Sequence, residues 1–74
     1  MAEGTIFYKH DVHFDTFWDM MIEIERIGHY FQYIKMIQTG YDRYSVFIGH
    51  NDFTVEQQDI LKAYGFHKRE VPND

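Results

Sequence analysis

The chain has 74 residues, no cysteine, 12 acids against 7 Lys and Arg, and a formal net charge of −5. That length holds one small domain, residues 1–74, and the lack of thiols excludes a disulfide framework, a thiolate nucleophile and a cysteine-based metal site. No apolar run approaches the roughly 18 residues of a membrane span, and MAEGTIFYKH lacks a basic region followed by an apolar stretch, so the reading is a soluble cytoplasmic protein with no membrane partner.

Residues 4–13, GTIFYKHDVH, are rich in β-branched and aromatic side chains and read as a strand. Ile6, Tyr8 and Val12 share one parity; Phe7, Lys9, Asp11 and His13 share the other. Residues 16–27, TFWDMMIEIERI, then follow a helical period. At about 100° per residue, Phe17, Met20, Met21, Ile24 and Ile27 fall within roughly a third of the circumference, with Asp15, Asp19, Glu23 and Arg26 opposite. Thr16 with Asp19 forms a capping pattern at the start, and Gly28 supplies a left-handed stop. Trp18 and Ile22, one turn apart, project to the flank of the core stripe.

Two runs of strand formers, HYFQYIKMIQ and RYSVFIGH, enclose the turn residues TGYD and predict a hairpin. Continuation of the first helix to Ile37 is the rival reading, and Gly28 with the Tyr, Phe and Ile content of residues 30–37 argues for strand. A second helix starts at Thr54, whose spacing to Gln57 repeats the capping pattern. Its inward side is Phe53, Ile60, Leu61 and Tyr64, and its outer side Glu56, Asp59 and Lys62. Gly65 and Phe66 predict a Schellman ending with Phe66 folded onto Leu61. FHKREV can add a last strand, and residues 72–74 are expected to fray, leaving about 4–71 ordered.

The order β-α-β-β-α, with a final β, matches a ferredoxin-like α+β sandwich: an antiparallel sheet with two helices on one face. Alternation sends Ile6, Tyr8, Val12, Ile34, Met36, Val46 and Ile48 toward the helices. It sends Phe7, Lys9, His13, Phe31, Tyr33, Lys35, Ile37 and Phe47 to the open face, which is then too apolar to be left to water.

Catalytic signals are weak. The one serine, Ser45, sits in a strand without a motif, and the five scattered glycines form no phosphate loop, so the chain reads as no enzyme. Five histidines raise the question of a metal. His10 and His13 would point to opposite faces of a strand, however, and His29, His50 and His67 stand alone, so no metal or other cofactor is expected.

Charge is the stronger signal. Residues 15–27 carry a net −3 and residues 52–65 a net −2, which together account for the whole −5. Acids at i and i+4 lie about 6 Å apart and cost an isolated helix a few tenths of a kcal/mol per pair. A row of Asp15, Asp19 and Glu23, continued by Glu56 and Asp59, is therefore expected to present a DNA-mimic-like acidic surface to a basic partner such as a DNA-binding protein, with Trp18 and Ile22 as apolar anchor. A short acidic chain without catalytic apparatus has the general make-up of a regulator or phage-type inhibitor. The open face, with Phe7, Phe31, Tyr33 and Phe47, would make a homodimer. The alternative is single-stranded nucleic-acid binding on that face, with Phe7, Tyr33 and Phe47 stacking bases beside Lys9 and Lys35. Against it stand the net charge and the lack of a Lys/Arg-Gly-Phe/Tyr signature in RYSVFIGH.

Overall fold

The computed structural model describes residues 4–71, and the expected fraying of 72–74 lies outside them. The elements run β1 (Gly4–Val12), α1 (Phe14–Ile27), β2 (Tyr33–Gly40), β3 (Arg43–His50), α2 (Val55–Ala63) and β4 (His67–Val71). The strands form one antiparallel sheet in the order β2-β3-β1-β4. Phe17 and Met20 of α1 and Leu61 of α2 join Phe7, Val12, Val46 and Ile48 of the sheet in a single core, so the chain is a small α+β domain.

Helix α1 ends where the sequence indicates. Gly28 adopts φ 74°, its N–H donates to the carbonyls of Ile24 and Glu25, and β2 begins five residues later, which removes the continuous-helix reading. The start differs from the Thr16 pattern. His13 occupies the N-cap without a side-chain cap bond, and the N–H of Phe14 donates instead to Asp42 Oδ1 at 3.3 Å. The cap thus comes from the turn between β2 and β3, far along the chain. Helix α2 closes as expected: the reciprocal Thr54–Gln57 capping box is formed, and the N–H groups of Gly65 and Phe66 donate to the carbonyls of Lys62 and Leu61.

Strand β1 overturns the alternation. Lys9 stands opposite Val46 and Val12 opposite Tyr44, so His10 and Asp11 together face the single residue Ser45. This is a β-bulge, with Asp11 at φ 63° in the left-handed region that Asp tolerates better than most residues. The extra residue breaks the parity count. Phe7, Lys9 and Val12 all face the helices, and Ile6 and Tyr8 face outward. Phe7, expected on the open face, is fully buried with its ring edge-on to Phe53 at 5.0 Å. Phe31, also expected there, precedes β2 and packs against Phe53 at 6.1 Å on the helix side. Lys9 runs along the interior and donates from Nζ to the carbonyl of Tyr64 at 2.9 Å, at the C-terminal end of α2 where a cation suits the helix dipole. His13 is the α1 N-cap and contacts Asp42.

Gln57 is the interior polar residue that pattern reading passes over. It is 1% exposed and its hydrogen-bonding groups are engaged: Oε1 accepts from the Thr54 N–H at 2.8 Å, and Nε2 donates to the carbonyls of His29 and Tyr30 at 3.0 and 3.3 Å. One amide therefore joins the start of α2 to the link between α1 and β2. Gln57→Leu leaves those carbonyls and that N–H without their partner, and should lower stability by about 2 to 3 kcal/mol, or roughly 10 °C or more in Tm for a domain of this size. A thermal melt within 2 or 3 °C of the parent, on the order of 0.5 kcal/mol, would show that the junction does not depend on it.

Candidate functional site

The bulge gives the open face of the sheet a different set of residues from the expected one. Tyr8 on β1 is the cross-strand neighbour of Phe47 on β3 and of His67 on β4, and Phe47 is in turn opposite Lys35 on β2. Lys35, Phe47, Tyr8 and His67 thus form one row across all four strands. The rings are close: Tyr8 to His67 is 5.5 Å between centroids, Tyr8 to His10 5.8 Å, and His10 stands edge-on to Phe47 at 6.0 Å.

His10 is fixed in that position by Ser45. Its Nδ1 lies 2.9 Å from the Ser45 hydroxyl, which is itself buried. A serine beside an imidazole has the chemistry of a nucleophile and its base. Here the hydroxyl sits in the floor of the sheet, and what the contact does is orient the ring. The next row holds Tyr33, Gly49, Ile6 and Arg69. A Cβ at Gly49 would stand 3.4 Å from the Tyr33 ring, so the glycine lets that ring lean across β3 and leaves a shallow depression of about 310 Å³ toward Ile6 and the end of the sheet.

The described side chains of these two rows carry Lys35 and Arg69 and no carboxylate. At the rim, Asp11 is taken up by Arg43, with Nη1 to Oδ1 at 2.6 Å. That hydrogen bond and charge hold the Asp11 carboxyl below its usual pKa.

The acids occupy the other side. Asp15, Asp19, Glu56 and Asp59 are exposed, and none pairs with a cation among the described residues. Glu23, Glu56 and Asp59 meet at a shallow groove of about 290 Å³ between the helices, where Arg26, Ile27 and Ile60 complete the lining; Asp15 and Asp19 continue along α1. Glu23 is half-buried and accepts a hydrogen bond from the Tyr64 hydroxyl. Trp18 and Ile22 lie on a separate flank of α1, around a depression of about 210 Å³ with Met21, Glu25 and Tyr30. Acidic row and apolar pair are neighbours on one helix but face different ways.

Of the residues expected on the open face, Tyr33 and Phe47 lie there and Phe7 and Phe31 do not. Tyr8, His10, His67 and Arg69 join them, and the parity break at Asp11 is what hid the β1 members. No three His, Asp or Glu groups gather into a metal-binding set among the described residues, and no helix there is long and apolar enough to cross a membrane. No protein-family model matches the chain, and no curated protein sequence matches it.

The Tyr64–Glu23 contact gives a pH signature for the acidic side. The hydrogen bond to Glu23, partial burial and the nearby Glu23 and Asp19 charges raise the Tyr64 pKa above its ordinary 10.0. A raised folded-state pKa stabilises the fold below the unfolded value, and that contribution is lost as pH rises through the folded one. The stability difference between the parent and Tyr64→Phe should therefore be level from pH 6 to 9 and shrink above pH 10 in urea titrations. A difference that grows above pH 10 would contradict the contact.

Proposed function

We propose that the domain is a non-enzymatic binding module whose open sheet face takes single-stranded nucleic acid. The observation that carries this is the row Lys35, Phe47, Tyr8 and His67, a line of rings with a cation at its β2 end and no described carboxylate. Neighbouring strands lie about 4.8 Å apart, so Phe47 and Tyr8 offer adjacent stacking surfaces, and each base stacked on such a ring is worth about 1 to 3 kcal/mol. Lys35 and Arg69 suit the phosphates on either side. His10, oriented by Ser45, adds a further ring beside that row. The overall −5 weakens long-range attraction to nucleic acid, but the acids of α1 and α2 sit beyond the sheet from this face, and Asp11 at its rim is paired with Arg43. At physiological salt, charge is screened over about 8 Å. We also assign the fold to the ferredoxin-like class, a reading supported by the order β2-β3-β1-β4, in which each helical connection crosses one intervening strand.

Fluorescence anisotropy with a short labelled single-stranded oligonucleotide tests the assignment. Phe47→Ala and Tyr8→Ala should each weaken binding by about 1 to 3 kcal/mol while leaving the circular dichroism spectrum unchanged. Absence of binding at low salt, where attraction is strongest, would remove the assignment.

The second reading places a basic protein partner on the helical side, with Asp15, Asp19, Glu23, Glu56 and Asp59 as the contact charges. It is supported by the convergence of three of these carboxylates on one groove. Asp19→Lys combined with Glu56→Lys should then abolish salt-sensitive capture of a basic protein from nuclease-treated lysate without changing the melting temperature by more than a few degrees. Capture that survives the double charge reversal would exclude the acidic face.

A further inference from the structure

The two edges of the sheet are built differently. Strand β4 is five residues long and carries Lys68 and Arg69, the charged and short make-up that protects an edge from unwanted pairing. Strand β2 is eight residues long, has no proline, carries one charge, Lys35, and is hydrogen-bonded along one side only, to β3. Its outer row of backbone N–H and C=O groups is a template for another strand.

Apolar surface gathers at the same edge. Of the nine large hydrophobic side chains exposed among the described residues, six are Trp18, Ile22, Tyr30, Tyr33, Ile34 and Ile37. Trp18 and Tyr30 are 57% and 62% exposed. At about 100° per residue, Trp18 lies roughly 140° and 180° around α1 from Glu23 and Ile27, which line the groove toward α2, so the flank it shares with Ile22 and Met21 is on the β2 side of the sheet. Tyr30 bridges this flank to the strand. Half-exposed rings and isoleucines of this number amount to apolar surface on the order of 600 Å², with Trp18, Ile22, Tyr30 and Ile34 on the helix side of the edge and Tyr33 and Ile37 on the open face, which together approach the roughly 800 Å² per partner of a standard interface before the backbone of the strand is counted.

We propose that this edge binds a second copy of the chain, with β2 pairing antiparallel to its mate across a two-fold axis. Charge opposes the self-complex least at this edge. Each copy carries −5, and the residues from Tyr33 to Gly40 contribute +1, so two copies that meet at β2 keep their acidic helix faces apart. A two-fold normal to the sheet keeps both pairs of helices on one side, which brings each Trp18–Ile22 flank toward the other. Registers that set Lys35 against its own mate are disfavoured, whereas centring on Ile34 or Met36 sets an apolar side chain against its mate. The interface leaves the Tyr8–Phe47 rings uncovered, so it stands independently of nucleic-acid binding.

Analytical ultracentrifugation tests it over micromolar to submillimolar concentrations. The parent should sediment at twice its 9.0 kDa. Trp18→Lys with Ile22→Lys, and separately Ile34→Lys, all at exposed positions, should sediment as monomers with unchanged circular dichroism. Because the chain has no cysteine, Ile37→Cys and His67→Cys each carry one spin label, and the distance between labels across the dimer should be shorter for position 37 than for position 67. A parent that stays at 9.0 kDa throughout, a dimer that persists in these variants, or a shorter distance at position 67 would overturn the proposal.

Discussion

The bulge at His10 and Asp11 decides what the first half of the chain is for. Left-handed backbone at a residue other than glycine costs about 1 to 2 kcal/mol. Without it, strict alternation would oppose Phe7 to Val12, and one of the two would leave the core. Burying a Phe or Val side chain is worth about 1.5 to 3 kcal/mol, and the Arg43 ion pair further supports the turn. The balance favours the bulge. From that choice follow the edge-to-face contact of Phe7 with Phe53, which also meets Phe31, the inward run of Lys9 to the end of α2, and the outward position of Tyr8.

A single chain thus separates two kinds of chemistry by a sheet one layer thick. Helix surfaces carry Asp15, Asp19, Glu23, Glu25, Glu56 and Asp59, of which Glu23 is engaged by Tyr64 and the others are exposed. The opposite surface carries rings, two cations and a histidine oriented by a buried hydroxyl. Such polarity gives the molecule an orientation in the field of a charged partner, whichever side that partner meets. It also explains why net charge alone is a poor guide to this protein: α1 carries −3 and α2 −1 of the −5, which says little about the sheet.

What was legible in the sequence was local. The stripe Phe17, Met20, Ile24, the Gly28 stop, the Thr54–Gln57 box and the Gly65–Phe66 ending all depend on residues a few positions apart, and each stands as read. Alternation likewise placed Tyr33, Lys35 and Phe47 on the open face, because β2 and β3 pair regularly between Tyr33 and Gln38. What was hidden depended on distant partners. The start of α1 is set by Asp42, and the inward side of β1 by an unpaired residue opposite Ser45. Gln57 is a different case. It shares the helical stripe of Ile60, Leu61 and Tyr64, so its burial was written in the period and masked by its polarity.

The position of β1 in the middle of the sheet bears on how the domain is made. Its neighbours are β3 and β4, and the outermost pairing joins Gly4 to Val71, the first and last of the described residues. Closing so long a loop costs entropy before any contact repays it, which places this small fold among the slower folders for its size. The β2–β3 hairpin and both helices can form from nearby residues. The central strand, though first in sequence, has both edges covered only when the last strand arrives, and until then it offers a second open edge to any neighbouring chain.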